Sequence, residues 1–257
     1  MLEELYAGSV ADSAKRQEQV SLAQVEKAAL AALPALNALK FLEPADHIKV
    51  LAEVKRASPS RGDMAEIPDP ALLAEIYADN GASAISVLTE MRRFKGSMDD
   101  LRAVRAKVNV PLLRKDFIAN EYQILEGRAA GADIILLIVA GLDQKTIIRL
   151  KHFTEELGMT AFIETHDAAE LDRALQADAK LLGVNARDLS TFQTDRNLFA
   201  ELAPSIPTGV IKVAESAVRN ADDVAHYRAA GADVVLVGEA LVTNDPAAML
   251  KSFLRAG

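Results

Sequence analysis

Residues 128–140 read RAAGADIILLIVA and residues 228–240 read RAAGADVVLVGEA, one hexapeptide placed 100 residues apart and followed each time by an apolar run. A third copy, Asn80-Gly81-Ala82-Ser83, stands before AISVLTE, and a variant, Gln176-Ala177-Asp178-Ala179, stands before KLLGVN. The glycine ends a helix where the backbone must turn, and the apolar run behind it enters a sheet. The motif recurs about every 50 residues, which is too long for one strand–helix unit and right for two. A further strand is therefore expected inside each interval.

Four segments meet that expectation: HIKVLAEVK (47–55), VPLLRK (110–115), MTAFIET (159–165) and GVIKVAE (209–215). Helical patterns lie between the strands, among them PALLAEIYADN, SMDDLRAVRAK, NEYQILEGRAA, LDQKTIIRLKHFTEEL and DAAELDRALQ. Several strands are apolar on both faces, as required when helices cover the outside and a packed interior lies within. Eight strands alternating with helices predict an α/β fold, a closed (β/α)8 TIM barrel, and 257 residues is close to the usual length of one. A single domain, 1–257, is expected, with 1–46 as an N-terminal helical extension. In that extension Ser21 and Gln24 form a capping box, so a helix begins at Ser21, and Leu2 and Leu5 suggest an amphipathic turn before it. The extension is read as packing support for the barrel rather than as a lid.

Composition removes several functional classes. With no cysteine there is no disulfide framework, Cys-based metal cluster or catalytic thiol. The four histidines, at 47, 152, 166 and 226, have no ligand spacing, so no metal is expected; His166 falls nearest the polar strand ends and is read as structural or as supporting a site residue. A net charge of −8 without a basic stripe argues against nucleic acid as a partner. The basic runs at 55–56 and 91–95 could serve a small anion, or could simply be solvated. The longest apolar run, 134–140, is too short for a membrane span, and the first residues lack a secretory profile, so a cytoplasmic location is expected.

Charged side chains are costly at the end of an apolar strand unless a site uses them. Here they cluster at C-terminal strand ends, the face on which barrel active sites form. The first strand ends AEVKRASPSRG, with Glu53 and Lys55 two apart and so on one face. The third ends LLRKDF, the fifth FIETHD, the sixth GVNARDL, the seventh VAESAV and the eighth VLVGEAL. Ser216 and Ala217 after the seventh strand, with Gly238 and Glu239 after the eighth, can present backbone N–H groups to a phosphate. Gly238 would let a ligand approach the backbone, and Ser58 in the first loop could add a hydroxyl.

Taken in order, AEVKRASPSRG, SVLTEMRRFKGS, PLLRKDFI, GVNARDL, VAES and VLVGEAL resemble the strand ends of the indole-3-glycerol-phosphate synthase family, from about residue 50 to 242. The resemblance implies ring closure, decarboxylation and dehydration of 1-(2-carboxyphenylamino)-1-deoxyribulose 5-phosphate, a small anionic phosphorylated substrate, with no cofactor. It implies that Lys115 is the general acid at the carbonyl oxygen, that Glu164 is the base for loss of water, and that Glu53 orients substrate and helps to stabilise charge. By the same resemblance Lys55 contacts the anionic substrate, Asn185 binds its hydroxyl or amine groups, and Arg187 lies near its carboxylate. Ser58, Ser216, Gly238 and Glu239 surround the phosphate, with Glu215 and Ala217 in the same motif, and Phe94 contacts the aromatic ring. A monomer is expected.

Two positions depart from the family pattern. Ala217 stands where Gly is usual, which strains the backbone if the bound geometry needs positive φ. Thr165 stands where Val or Ile is usual and places a hydroxyl beside the expected base. The rival functions are another sugar-phosphate barrel, such as an aminoketose isomerase, and a catalytically silent binder of a phosphorylated metabolite.

Overall fold

A computed structural model of the chain describes residues 2–188 and 193–256; Leu189, the last residue of the GVNARDL motif, lies outside them. Eight parallel strands form the barrel: β1 (Lys49–Val54), β2 (Ala84–Leu88), β3 (Leu112–Lys115), β4 (Ile134–Ile138), β5 (Thr160–Thr165), β6 (Leu181–Asn185), β7 (Ile211–Glu215) and β8 (Val234–Val237). Each pairs with its sequence neighbours, and β1 closes the ring by pairing with both β2 and β8. The (β/α)8 expectation is met strand by strand, with each observed strand inside its expected segment. The strands are buried on both faces, leaving the strand ends as the place where polar groups can meet.

The helices are α1 (Leu2–Gln19), α2 (Leu22–Ala31), α3 (Ala38–Leu42), α4 (Pro70–Asp79), α5 (Met98–Arg105), α6 (Glu121–Ala129), α7 (Gln144–Glu156), α8 (Ala168–Gln176), α9 (Leu198–Leu202), α10 (Ala221–Ala229), α11 (Glu239–Val242) and α12 (Pro246–Ala256). Most helices that follow a strand start on a side-chain cap, among them Asp69, Ser97, Asn120, Asp143, Asp167 and Asn220. Each cap satisfies an N–H that the first helical turn leaves open. The repeated glycines do what their spacing predicts: Gly81, Gly131 and Gly231 all have φ above +90° or at it, and Asp178 takes the same left-handed place at φ +57°. Helix α10 ends just before Gly231, where the repeated motif places a helix end, and α11 opens after Gly238, whereas α9 and α12 have no counterpart among the patterns drawn from the sequence. Helix α9 runs five residues, too short for a periodic signal.

The N-terminal extension differs in one respect from its reading. The capping box is present, with Gln24 N donating to Ser21 Oγ and Ser21 N to Gln24 Oε1. Before it runs a helix of 18 residues rather than a single turn. Beyond Leu5 and Tyr6 it shows little apolar period, because polar tertiary contacts hold it: Ser9 Oγ donates to Asp116 Oδ1 at 2.8 Å, and Arg16 Nη2 to Glu126 Oε2 at 2.8 Å. Helix α1 thus backs the wall beside the end of β3, while α2 packs Val25 and Ala29 against Tyr122 and Leu125 of α6. Among the described residues no helix is long and apolar enough to cross a membrane.

Candidate active site

A cavity of about 400 Å³ opens at the C-terminal ends of the strands, a size suited to a small metabolite. Glu53 and Lys55 from the end of β1, Lys115 from β3, Glu164 from β5, Asn185 from β6 and Glu215 from β7 line it. Ser58, Phe94, Arg187, Ser216, Ala217, Gly238 and Glu239 line it too, so every residue expected at the site reaches one space.

Lys115 is the hub. Its Nζ donates to Glu164 Oε2 at 3.0 Å and lies 3.5 Å from Glu215 Oε2. Burial alone would depress this ammonium, but Glu164, Glu215 and Glu53 outweigh it and raise its pKa above the ordinary lysine value. Lys115 therefore carries its proton at neutral pH. The two glutamates that share it behave oppositely. Burial would raise Glu164, yet Lys115 and then His166 and Asn185 pull it below the usual carboxylate range, so it is ionised. Glu215 is pushed well above the usual range by burial and by the charge of Glu164, with Lys115 opposing. Two buried carboxylates on one lysine do not both hold a charge.

The first strand adds an ion pair, Lys55 Nζ to Glu53 Oε2 at 2.5 Å, with both side chains turned to the same side as the two-residue spacing requires. Gly238 makes room for that pair. A methyl there would fall on Glu53 Oε2 and stand 3.1 Å from Lys55 Nζ, so the close approach seen at this glycine is by side chains of β1. Asn185 is held from three directions: its Nδ2 donates to Glu164 Oε1, and its Oδ1 accepts from Ser216 Oγ and from Arg187 N. Arg187 Nη1 reaches Ser60 Oγ at 2.5 Å, tying the loop after β6 to the loop after β1. Ser58 Oγ lies 3.4 Å from the same Ser60 Oγ.

At the mouth of β7, Ser216 and Ala217 have φ of +69° and +58°, two consecutive left-handed residues with side chains. The strain expected of Ala217 is thus built into the backbone. Gly238 and Glu239 open α11, whose first N–H groups have no partner within the helix. Arg61 reaches across from the first loop to Glu239 Oε1 at 2.6 Å. On the opposite side the wall is aromatic: Phe94 lies 6.2 Å from Phe117, and Phe117 meets Tyr6 of α1 edge-on at 5.5 Å.

A family model described as indole-3-glycerol phosphate synthase matches residues 2–253. The chain belongs to the indole-3-glycerol phosphate synthase family. It is 62% identical to the indole-3-glycerol phosphate synthase of Leifsonia xyli subsp. xyli over 98% of this chain and 97% of that one. It is 54% identical to that of Mycolicibacterium smegmatis, over 100% of this chain and 94% of the relative. Among solved structures, 3-hexulose-6-phosphate synthase from Salmonella typhimurium superposes with a TM-score of 0.63 at 19% identity, over 81% of this chain and 98% of the other. That likeness is one of fold.

For a synthase of this family, two open readings of the sequence are decided by side-chain contacts. The hydroxyl of Thr165 donates to Gly183 O at 2.8 Å, so it serves the β5–β6 pairing and leaves Glu164 alone. In the basic run 91–95, Arg92 pairs with Asp12 of α1 and Lys95 with Asp63, so these two charges are not turned to the cavity. Arg56 of the other run pairs with Asp100, leaving Lys55 as the member that faces the cavity. Several contributors escaped the sequence reading. Gly183 is needed because a side chain there would fall on Glu215 Oε1 and within 2.9 Å of the Phe162 ring. Phe117 stood in the quoted LRKDFI motif but carried no signal of its own. Arg61 and Tyr6 could be found only from long-range contacts.

Proposed function

We propose that Lys115, Glu164 and Glu53 carry the acid–base steps of the family's reaction in this chain. As a member of that family the chain is a lyase of tryptophan synthesis, turning 1-(2-carboxyphenylamino)-1-deoxyribulose 5-phosphate into indole-3-glycerol phosphate, carbon dioxide and water. The observation that carries the assignment is the 3.0 Å contact of the charged Lys115 ammonium with the charged Glu164 carboxylate on the floor of the cavity.

Attack of the aryl carbon on the ketone carbon sends an electron pair onto the carbonyl oxygen, where Lys115 delivers its proton. Carbon dioxide leaves with its bonding pair returned to the ring. Glu164 then takes a proton from the methylene carbon beside the nitrogen as the carbon–oxygen bond breaks, and the hydroxyl takes up a second proton from solvent to depart as water. Glu53, braced by Lys55, orients the substrate and stabilises charge. Lys55 contacts the anionic substrate, Asn185 its hydroxyl or amine groups, and Arg187 its carboxylate end. Ser58, Ser216, Ala217, Gly238 and Glu239 hold the phosphate, with Glu215 beneath them, and Phe94 holds the ring. Anchors at both ends of the substrate bring aryl carbon and carbonyl together, which is the main demand of a ring closure.

The functional unit is one domain, residues 1–257, with 1–46 as its extension, and every group named comes from a single chain, so the monomer suffices. A cytoplasmic location belongs to the same proposal, because a phosphorylated substrate does not cross membranes and must be used where it is made. Replacing Lys115 by Met tests the assignment. Turnover, followed by indole absorbance, is expected to fall by about 100-fold or more, with substrate binding still measurable by calorimetry. Unchanged turnover would remove Lys115 as the acid.

A further inference from the structure

Two buried glutamates face Lys115, and only one of them is held charged. The difference between them lies on the side away from the lysine. Glu215 Oε1 is buried without a hydrogen-bond partner, whereas Glu164 Oε1 accepts from Asn185 Nδ2 at 3.1 Å and lies 3.2 Å from His166 Nε2. The other nitrogen of that imidazole, Nδ1, is 3.0 Å from Glu170 Oε2. Both ring nitrogens therefore lie at ion-pair distance from carboxylate oxygens, Nδ1 in a hydrogen bond and Nε2 by proximity alone, a setting that favours the charged ring.

The chain path explains the placement. His166 follows directly on β5, Asp167 caps α8, and Glu170 in the first turn of α8 accepts from His166 N at 2.8 Å as well as facing its ring. Glu170 thus fixes backbone and ring together. The His166 side chain is 9% exposed, so its charge acts on Glu164 with little screening.

We propose that His166 is a positioning residue for the base: clamped as an imidazolium by Glu170, it keeps the Glu164 carboxylate ionised and turned so that Oε2 meets Lys115. This rests on Glu164 being the base. The charged or titratable groups around the ring are Glu164 on β5 and Glu170 on α8, with Lys115 of β3 and Glu215 of β7 behind Glu164. Tyr6 of α1 is coupled to both glutamates, but burial and their charges hold its phenol protonated. Burial would depress the imidazole, but the two carboxylates override it and raise His166 from 6.5 to about 10, so the clamp persists across the neutral range. Without it, Glu164 would keep Lys115 but lose its second cation, and its carboxyl would move up toward the usual carboxylate range.

The test compares kcat against pH for the unaltered chain, His166→Gln and Glu164→Gln on the family's substrate. Glutamine keeps a donor but no charge. Removing a cation beside a carboxylate raises its pKa by about one to three units, so the acid limb of kcat in His166→Gln is expected to move up by that amount. KM should change by less than about threefold, since the clamp acts on the base and touches no substrate. A merely structural histidine would lower activity at every pH without moving the limb, and an unmoved limb overturns the proposal. If Glu164→Gln is inactive while that limb stays put, the clamp alone fails; if Glu164→Gln retains turnover, the base assignment fails and takes the clamp with it. Nitrogen-15 spectra of the unaltered chain at pH 8 decide the matter even if His166→Gln does not fold. Both His166 nitrogens should carry protons, with the ring becoming neutral in Glu170→Gln, and a neutral ring in the unaltered chain overturns the proposal.

Discussion

The floor and the rim of the cavity are held by different means. On the floor, Glu53, Lys115, Glu164, Asn185 and Glu215 project from the ends of five strands around the barrel, are nearly or fully buried, and bond mainly to one another. On the rim, Arg61, Ser60, Arg187 and Glu239 sit on loops or a helix start and join across gaps in the chain by single contacts. The barrel fixes the floor before any substrate arrives, so its electrostatics are preorganised. The rim is set by loop contacts that water can replace. The comparison teaches that the chemistry should be sensitive to changes of a single methyl below and tolerant of larger ones above.

The sharpest way to break that contrast is Gly183→Ala, which places a methyl against Glu215 and the Phe162 ring on the floor. Because a displacement of about 1 Å can cost about 100-fold, turnover should fall by about that factor. Overpacking should also lower stability by about 1–3 kcal/mol in chemical denaturation. Unaltered turnover would mean that Glu215 is not held where the reaction needs it. A smaller effect is expected of Ala217→Gly, where the backbone already stands at φ +58°. Removing the Cβ relieves a left-handed strain and should raise stability by about 1 kcal/mol, with turnover the same or higher. Destabilisation would show that Ala217 is not strained. The smallest is Arg61→Ala on the rim. Its pair with Glu239 is largely solvated, so stability should stay within about 0.5 kcal/mol and KM should rise only a few-fold. A collapse of kcat in Arg61→Ala would erase the distinction between floor and rim.

The same division governs what could be read from the sequence. Strand ends repeat a local grammar, apolar run then charge, and Glu53, Lys115, Glu164 and Asn185 were legible because barrel geometry forces such ends to converge. The family pattern then supplied the roles proposed for them. What the linear order could not give was which neighbours they would acquire. Gly183 and Glu215 stand 32 residues apart and meet only because β6 and β7 are paired, with Gly183 beside Val213 and Asn185 beside Glu215. His166 stood in plain view, yet its value depends on Glu170 one helical turn away and on the direction in which the ring leaves the strand. Helix α1 was the poorest reading. Its polar half buries hydroxyls and charges instead of an apolar face, and no periodicity announces that.

That helix has a consequence for how the molecule is made. Tyr6 donates to the carbonyl of Ile138, 132 residues further on, and packs against Phe117. On a ribosome, which releases the chain from the N-terminal side onward, α1 emerges while its docking site is still untranslated. It must wait, with Leu5 and Tyr6 uncovered, until the fourth strand has left the exit tunnel, so a helix synthesised before every strand of the barrel settles only after half of them have emerged.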